Sequence, residues 1–406
     1  MAAKETILLR PLDFQPVTYE GQHMWLLRDP LQLSDRQLFM PDGMASILTL
    51  LDGTRNREEV HRALCALAGT SLPQEISNNA LDQLDEACLL ENERSARARQ
   101  ERLAAYRAQP YRPPELAGHG YPAEQDQLTD YLASFGGAEP SSNWQGRGIV
   151  SPHIDYARGG PVYAKVWHAA EEAILAADLV VILGTDHYGG LGTVTLTSRA
   201  YATPYGILPA DETAVATLAS ALGEASAFAD ELHHRHEHSV ELSAVWLHYL
   251  FHKNNRKPCP VVPVLIGSFQ HFLANGHHPA AEERFNRFQK ALAALGEGQR
   301  VVIVASVDLA HVGPAFGDHF VMDQARREAL AAEDHRLTDA ALQGDADGWY
   351  SRIAAVDDAN RICGFSPTYF LLRHLGPTTG RRIAYDQCAA DQQDASLVSI
   401  CGLLLD

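Results

Sequence analysis

The fold is decided by residues 179–187, which read LVVILGTDH. Five consecutive apolar residues, several of them β-branched, are typical of a strand buried on both faces of a parallel sheet. The polar residues that follow end the strand and leave His187 just beyond its carboxyl end. Two other stretches share this arrangement, GIVSPH at 148–153 and VVIVASVDLAH at 301–311. We therefore expect at least three parallel strands, each followed by a histidine.

Helical patterns alternate with these strands, as expected for an α/β domain. The helices are predicted at 161–177, 212–222, 239–252, 281–295, 320–342 and 367–375, and further strands at 261–266, 382–385 and 397–405. The sequence thus predicts an α/β domain over 117–406, with a largely parallel central sheet flanked by helices.

The first 92 residues predict a small, mainly helical domain. Helical spacing covers 57–68 and 78–87, and 88–90 predicts a short strand. This winged-helix-like order resembles the PqqD-like peptide-recognition fold, and a helical cap on the larger domain is the alternative. DNA binding is less favoured, because the second helix is acidic. Residues 93–116 are predicted to be a linker, helical at first and ending in PYRPP.

Composition restricts the classes of partner. Acidic residues outnumber basic ones by 51 to 33 in the 406 residues, and a net charge of −18 repels nucleic acids and anionic membranes. Neither a secretion signal nor a membrane-length apolar run is present, so we expect a cytoplasmic protein. The six cysteines form no CxxC pair and are expected to be thiols.

Three strand-end histidines suggest a metal site. Ligands of open parallel sheets bind outside the carboxyl ends of the strands, so His153, His187 and His311 should converge there. Imidazole is the commonest metal ligand in proteins.

A second histidine-rich stretch is HHRHEHSVE at 233–241. We expect His233, His234 and His236 to lie in a solvated loop. His238 and Glu241 are one helical turn apart, and we expect them to face the cleft.

Residues 117–406 resemble the Memo family. The resemblance is carried by AGHGYP at 117–122, SPH at 151–153, LGTDH at 183–187, EHSVE at 237–241, VPVLIG at 262–267, SVDLAH at 306–311 and ICG at 362–364. Bacterial members are known as AmmeMemoRadiSam system protein B, of a three-component set that includes a radical-SAM enzyme. The residues after His153, Ile154-Asp155-Tyr156, depart from the family pattern, as does Tyr188.

The resemblance implies a fold similar to that of class III extradiol dioxygenases. It implies metal ligation by His153, His187 and Cys363, with iron or copper as the ion. His311 and Asp308 would be further ligands or acid/base groups. A thiolate with two imidazoles is a softer set than the two-histidine, one-carboxylate triad of iron oxygenases, which favours copper or zinc over iron(II).

These residues support a metal-dependent, dioxygenase-like oxidoreductase acting on a small molecule or a peptide. In this hypothesis His311, oriented by Asp308, moves a proton, and His238 also belongs to the catalytic group. The alternative is a non-catalytic metal- or peptide-binding scaffold that partners the radical-SAM system. A zinc hydrolase also fits the ligands, with Glu241 as its one candidate base.

Overall fold

A computed structural model describes residues 5–19, 21–136 and 144–406. The chain forms two compact units, 1–109 and 110–406. Among the described residues, none of the helices is both long and apolar enough to span a bilayer.

The first unit combines a sheet with helices. Its antiparallel strands lie in the order β1–β2–β3, with bounds Asp13–Tyr19, Gln22–Arg28 and Leu38–Pro41. Its helices are α1 (Asp42–Ala45), α2 (Arg57–Ala68), α3 (Gln74–Glu86) and α4 (Glu93–Ala108).

Helices cover more of the first unit than strands do, as predicted, but its three strands were not predicted. The strands were missed because β1 is exposed at most positions, and the apolar runs of β2 and β3, MWLL at 24–27 and LFM at 38–40, are too short to identify a strand with certainty. The predicted strand at 88–90 reduces to one bridge between Leu9 and Leu90, and Cys88 has a left-handed φ of 58°.

The second unit is built around an eight-stranded mixed sheet. Its order is β12–β14–β5–β11–β6–β10–β7, and β13 pairs with β14. The strands of this unit are β4 (Tyr111–Arg112), β5 (Gly148–Ser151), β6 (Leu179–Thr185), β7 (Val194–Leu196), β8 (Ala200–Thr203), β9 (Gly206–Leu208), β10 (Val261–Ile266), β11 (Val301–Ser306), β12 (His311–Val312), β13 (Gly380–Ala389) and β14 (Leu397–Leu405). β4, β8 and β9 form a separate small sheet.

The large sheet is less parallel than predicted. β5, β11, β6 and β10 are parallel neighbours, whereas β7, β12, β13 and β14 pair antiparallel. Apolar runs of this length are compatible with either direction once both faces of the sheet are covered, so the runs alone did not reveal the antiparallel strands.

Helices cover both faces of this sheet. Their bounds are α5 (Gln125–Ser134), α6 (Tyr156–Leu175), α7 (Glu212–Leu222), α8 (Glu224–Ala227), α9 (His238–Lys253), α10 (Gln270–Asn275), α11 (Glu283–Ala294), α12 (Gln324–Leu342), α13 (Ala346–Ala354) and α14 (Phe365–Leu375). Val181 of β6 packs in a core with Phe288 of α11, while its neighbour Ile182 packs in another with Trp246 of α9. The sheet is thus packed between two layers of helices.

Candidate metal centre

Three neighbouring strands present a side chain at the same position. β5, β11 and β6 are adjacent, and His153, Asp308 and His187 each lie two residues beyond the end of their strand. Parallel strands in register carry such residues to one edge of the sheet. Asp308 thus lies between the two histidines along the edge.

His238 joins this edge from the first residue of α9. Its ring lies 4.9 Å from that of His187 and 5.3 Å from that of His153, centroid to centroid, and the His153 and His187 rings are 5.0 Å apart. One ring nitrogen of each residue lies within 4.8 Å of those of the other two. This spacing is suitable for three ligands of one ion.

Hydrogen bonds fix the orientation of all three imidazoles. The Nδ1 of His153 lies 2.9 Å from the carbonyl oxygen of Ser306. The Nδ1 atoms of His187 and His238 lie 3.1 and 3.2 Å from the carboxylate of Glu237. With Nδ1 engaged in each ring, Nε2 is the nitrogen left to bind a metal. Metal-binding histidines are oriented in this way in known sites.

Glu237 is the central residue of this arrangement, although no role was predicted for it from the sequence. Its side chain is fully buried, and it also accepts hydrogen bonds from the backbone N–H groups of His187 (3.0 Å) and Ser239 (3.0 Å). It caps the N-terminus of α9. Its place just before a strong helix, between two histidines of the HHRHEHSVE stretch, was the available signal.

Cys363 and Asp308 form a second group around His153. The Sγ of Cys363 lies 3.3 Å from the Nε2 of His153, and the carboxylate of Asp308 lies 3.7 Å from it. One ligand atom from each of the three lies within 4.8 Å of the others. Two hydrogen bonds hold the backbone here. The carboxylate of Asp308 accepts from the backbone N–H of His153. The hydroxyl of Thr185 donates to the carbonyl oxygen of Cys363.

His311 lines the same cavity but belongs to neither ligand group. Its Nδ1 lies 3.1 Å from the carbonyl oxygen of Leu309 and 3.2 Å from that of Arg361. Its ring is thus oriented by these carbonyls, and the carboxylate of Asp308 is bound instead to the N–H groups of His153 and Ile154.

The remainder of the HHRHEHSVE stretch differs from expectation. His233 and His234 are buried in a short 3-10 helix, where His233 pairs with Asp186. The side chain of His236 is also mostly buried and pairs with Glu115. The prediction of a solvated loop is therefore wrong, because each imidazole finds a partner in the interior.

Glu241 does not face the cleft either, contrary to expectation. It is fully buried and forms an ion pair with Arg112. It also accepts hydrogen bonds from Tyr121 and from the backbone N–H groups of Glu115 and Leu116. With its oxygens occupied in this way, Glu241 is unsuited to act as the base of a zinc hydrolase.

Burial and neighbouring charges polarise the site. Burial lowers the pKa of His153 well below its usual value, and the adjacent imidazoles of His187 and His238 add to this. Burial also opposes protonation of His187, but the carboxylate of Glu237 outweighs it and raises the pKa of His187 well above normal. Burial raises the pKa of the Cys363 thiol, against the hydrogen bond from His187. A bound cation would instead favour the thiolate.

The cluster opens into a cavity of about 530 Å³. Its polar wall holds His153, His187, His238, Asp308 and His311, and its apolar wall includes Leu116, Leu242, Phe316 and Val398. A volume of this size is typical of pockets for small molecules.

Comparison with known proteins identifies one family. The model of the family described as Memo-like protein matches residues 112–404. A MEMO1 family protein of Aquifex aeolicus is 27% identical over 383 residues, covering 94% of this chain and 95% of that protein. A MEMO1 family protein of Methanosarcina barkeri is 28% identical, and the match covers 71% of this chain and 96% of that protein.

Among solved structures, the match with an uncharacterized protein from Escherichia coli K12 covers 64% of this chain and 99% of that chain. The TM-score of this match is 0.38 and the sequence identity is 14%, values too low to support a shared fold.

Proposed function

The chain belongs to the Memo family, and we propose that it is a metal-dependent, dioxygenase-like oxidoreductase acting on a small molecule or a peptide. The observation that carries the proposal is the convergence of His153, His187 and His238 with their Nδ1 atoms occupied. His153 is buried, while 31% of the His187 side chain and 35% of the His238 side chain are exposed, and imidazoles oriented in this way can share one ion that enters from the cavity.

The donor set fits a single transition-metal ion. In our proposal His153, His187 and His238 bind it, and Cys363 and Asp308 lie beside His153 as further ligands. Imidazole suits iron, copper and zinc, and a cysteine thiolate shifts the preference towards copper or zinc. The chemistry that iron or copper supplies at such a site is electron exchange with a substrate or with dioxygen.

The remaining residues would bind the substrate and move protons. His311 faces the cavity with its Nδ1 held by backbone carbonyls, which leaves Nε2 to exchange a proton with a bound substrate. Burial lowers the pKa of His311, so its neutral form is available as a base. Leu116, Leu242 and Phe316 would exclude water from the bound substrate.

Metal analysis of the purified full-length protein tests this proposal. We expect close to one equivalent of iron, copper or zinc per chain by elemental mass spectrometry. The His187→Ala variant should lose most of it, while His277→Ala, which alters an exposed histidine outside the cluster, should retain it. The proposal fails if the wild type binds no more metal than His187→Ala.

Oxygen uptake distinguishes a redox enzyme from a hydrolase or a scaffold. The protein loaded with iron(II) or copper would be given candidate catechols in an oxygen electrode. Uptake that disappears in His311→Ala, with its metal content unchanged, would support the role of His311. Metal binding without uptake under any loading would favour the scaffold.

A scaffold function has one observation in its favour. The sheet of the first unit exposes Tyr19 and Phe39, whose rings stack at 5.0 Å, and about half of the Tyr19 surface is open. The Aquifex aeolicus match extends into this unit, since it covers more of the chain than the second unit contains.

In this second proposal the PqqD-like first unit binds a peptide and serves the radical-SAM system, as AmmeMemoRadiSam system protein B would. Loss of co-purification with the radical-SAM enzyme in a Tyr19→Ser/Phe39→Ser variant would support it, and unchanged co-purification would contradict it. All six cysteines are free thiols, consistent with the reducing cytoplasm that we propose as its location.

A further inference from the structure

A second cavity lies away from the histidine cluster, within the second unit. It has a volume of about 290 Å³ and is bounded by α12, α13 and residues 355–362. Among the described residues, it shares no wall residue with the cavity of the metal centre. Its volume lies just below the range for drug-sized pockets, about 300–1,000 Å³, and suits a smaller ligand.

The wall of this cavity carries two arginines without partners. Arg336 of α12 and Arg352 of α13 both line it at its exposed rim, and in the described part of the chain neither makes a hydrogen bond or an ion pair with the protein. Two unpaired guanidinium groups at one cavity are suited to binding a carboxylate.

Negative charge lies on the same wall. The carboxyl of Asp358 is buried, accepting hydrogen bonds from the N–H of Ile362 at 2.8 Å and from Gln270 at 3.1 Å. Burial raises its pKa to about 6, which means that its neighbours compensate its charge only in part. Glu333 also lines the cavity, with one oxygen 3.3 Å from Asn360.

The rest of the wall combines apolar side chains with the buried carboxyl of Asp334, which accepts a hydrogen bond from the Tyr385 hydroxyl at 2.8 Å. Leu337, Ile353 and Ile362 are buried and contribute its apolar surface. The segment 355–362 is held from its other side, because the carbonyl of Asn360 accepts from the N–H of His311 at 2.8 Å. A preformed pocket binds a small ligand with little ordering cost.

We propose that this cavity binds a free apolar α-amino acid. Its carboxylate pairs with Arg336 and Arg352, its ammonium group faces Asp358, and its side chain packs on the apolar wall. A simple anion would meet three acidic residues, Glu333, Asp334 and Asp358, and a simple cation would meet the two arginines. A zwitterion with an apolar side chain satisfies both charges and the apolar surface at once.

Calorimetric titration of the full-length protein with L-leucine tests this inference. We expect saturable binding with a Kd below about 1 mM. Two analogues each lack one charge: 4-methylpentanoate has no ammonium group, and leucinamide has no carboxylate. Each should bind about 10-fold more weakly or worse, since each leaves charged groups of the site unpaired.

Variants separate the site from its surroundings. Arg336→Gln/Arg352→Gln should weaken leucine binding about 10-fold or more, whereas Arg256→Gln, an exposed arginine that lines neither cavity, should not. Because amino acids also chelate metals, His187→Ala must retain the binding. The inference is overturned if the wild type shows no saturable binding, if either analogue binds as well as leucine, or if His187→Ala abolishes binding.

Discussion

Two buried glutamates one turn apart, Glu237 and Glu241, have opposite kinds of partner. Glu241 is bound by the guanidinium of Arg112, by Tyr121 and by two backbone N–H groups. Glu237 is bound by the imidazoles of His187 and His238 as well as by backbone N–H groups. Both carboxylates are fully buried, so burial does not distinguish them.

The partners of the two glutamates differ in whether they can also bind a metal or exchange a proton. A guanidinium stays charged and has no acceptor, so the Arg112–Glu241 pair can only hold residues 112–121 against α9. An imidazole bound through Nδ1 retains Nε2 for a metal or a proton. A buried carboxylate with permanent partners therefore marks structure, whereas one with imidazole partners marks a site of chemistry.

The largest effect is expected on the structural side of this comparison. Glu241→Ala leaves Arg112 buried without its partner, and we expect it to lower the free energy of unfolding by about 3–5 kcal/mol. Chemical denaturation followed by circular dichroism measures this. Metal content per folded chain should stay near that of the wild type.

The control for this variant is Glu172→Ala, which removes an exposed carboxylate of α6 and should change the stability by at most about 0.5 kcal/mol. Replacing both members of the pair, with Arg112→Met/Glu241→Met, should cost less than Glu241→Ala alone. A loss below about 1 kcal/mol for Glu241→Ala would contradict the structural role.

The second largest effect is expected on the affinity for the metal. Glu237→Gln removes the charge that orients His187 and His238, and we expect metal affinity to fall by about 10- to 100-fold. Competition with a chromophoric chelator measures the affinity. Glu241→Gln, the same change one turn further along α9, is the matched control and should leave the affinity nearly unchanged. If both variants lose affinity equally, the two glutamates do not differ in the way described.

Much of the frame of this site follows from the sequence. Strands over 261–266 and 397–405 are predicted and found with the same bounds, because long apolar runs allow few other structures. The position of His153 and His187 at strand ends also follows from such runs. The sequence does not reveal that β11 lies between β5 and β6, because strand order depends on tertiary packing.

The role of Glu237 was hidden for a related reason. In the sequence Glu237 and Glu241 are equivalent members of one polar stretch, and only the packing of α9 directs one to His187 and the other to Arg112. The choice between His311 and His238 as neighbour of His187 depends on the same packing. Local patterns specify which elements form, whereas the rotation of a helix is decided by contacts far apart in the sequence.

The smallest effect is a pH dependence that separates the two glutamates in metal-free protein. The pKa of Glu237 is well below its usual 4.5, so its stabilisation is lost as the pH falls through that lowered value. The pKa of His187 is well above its usual 6.5, so its stabilisation is lost as the pH rises through that raised value. The difference in unfolding free energy between wild type and Glu237→Gln should therefore be largest between about pH 4.5 and 6.5.

The side chain of His187 is 31% exposed, so solvent screens its attraction to Glu237 and keeps this effect small. The difference in unfolding free energy between wild type and Glu241→Gln should be constant from pH 6 to 9, because the guanidinium of Arg112 does not titrate in that range. Denaturation curves in chelator-treated buffers across this range measure both differences. If the free-energy difference for Glu237→Gln varies with pH no more than that for Glu241→Gln, then the partners of Glu237 keep their charge over this range, as Arg112 does beside Glu241.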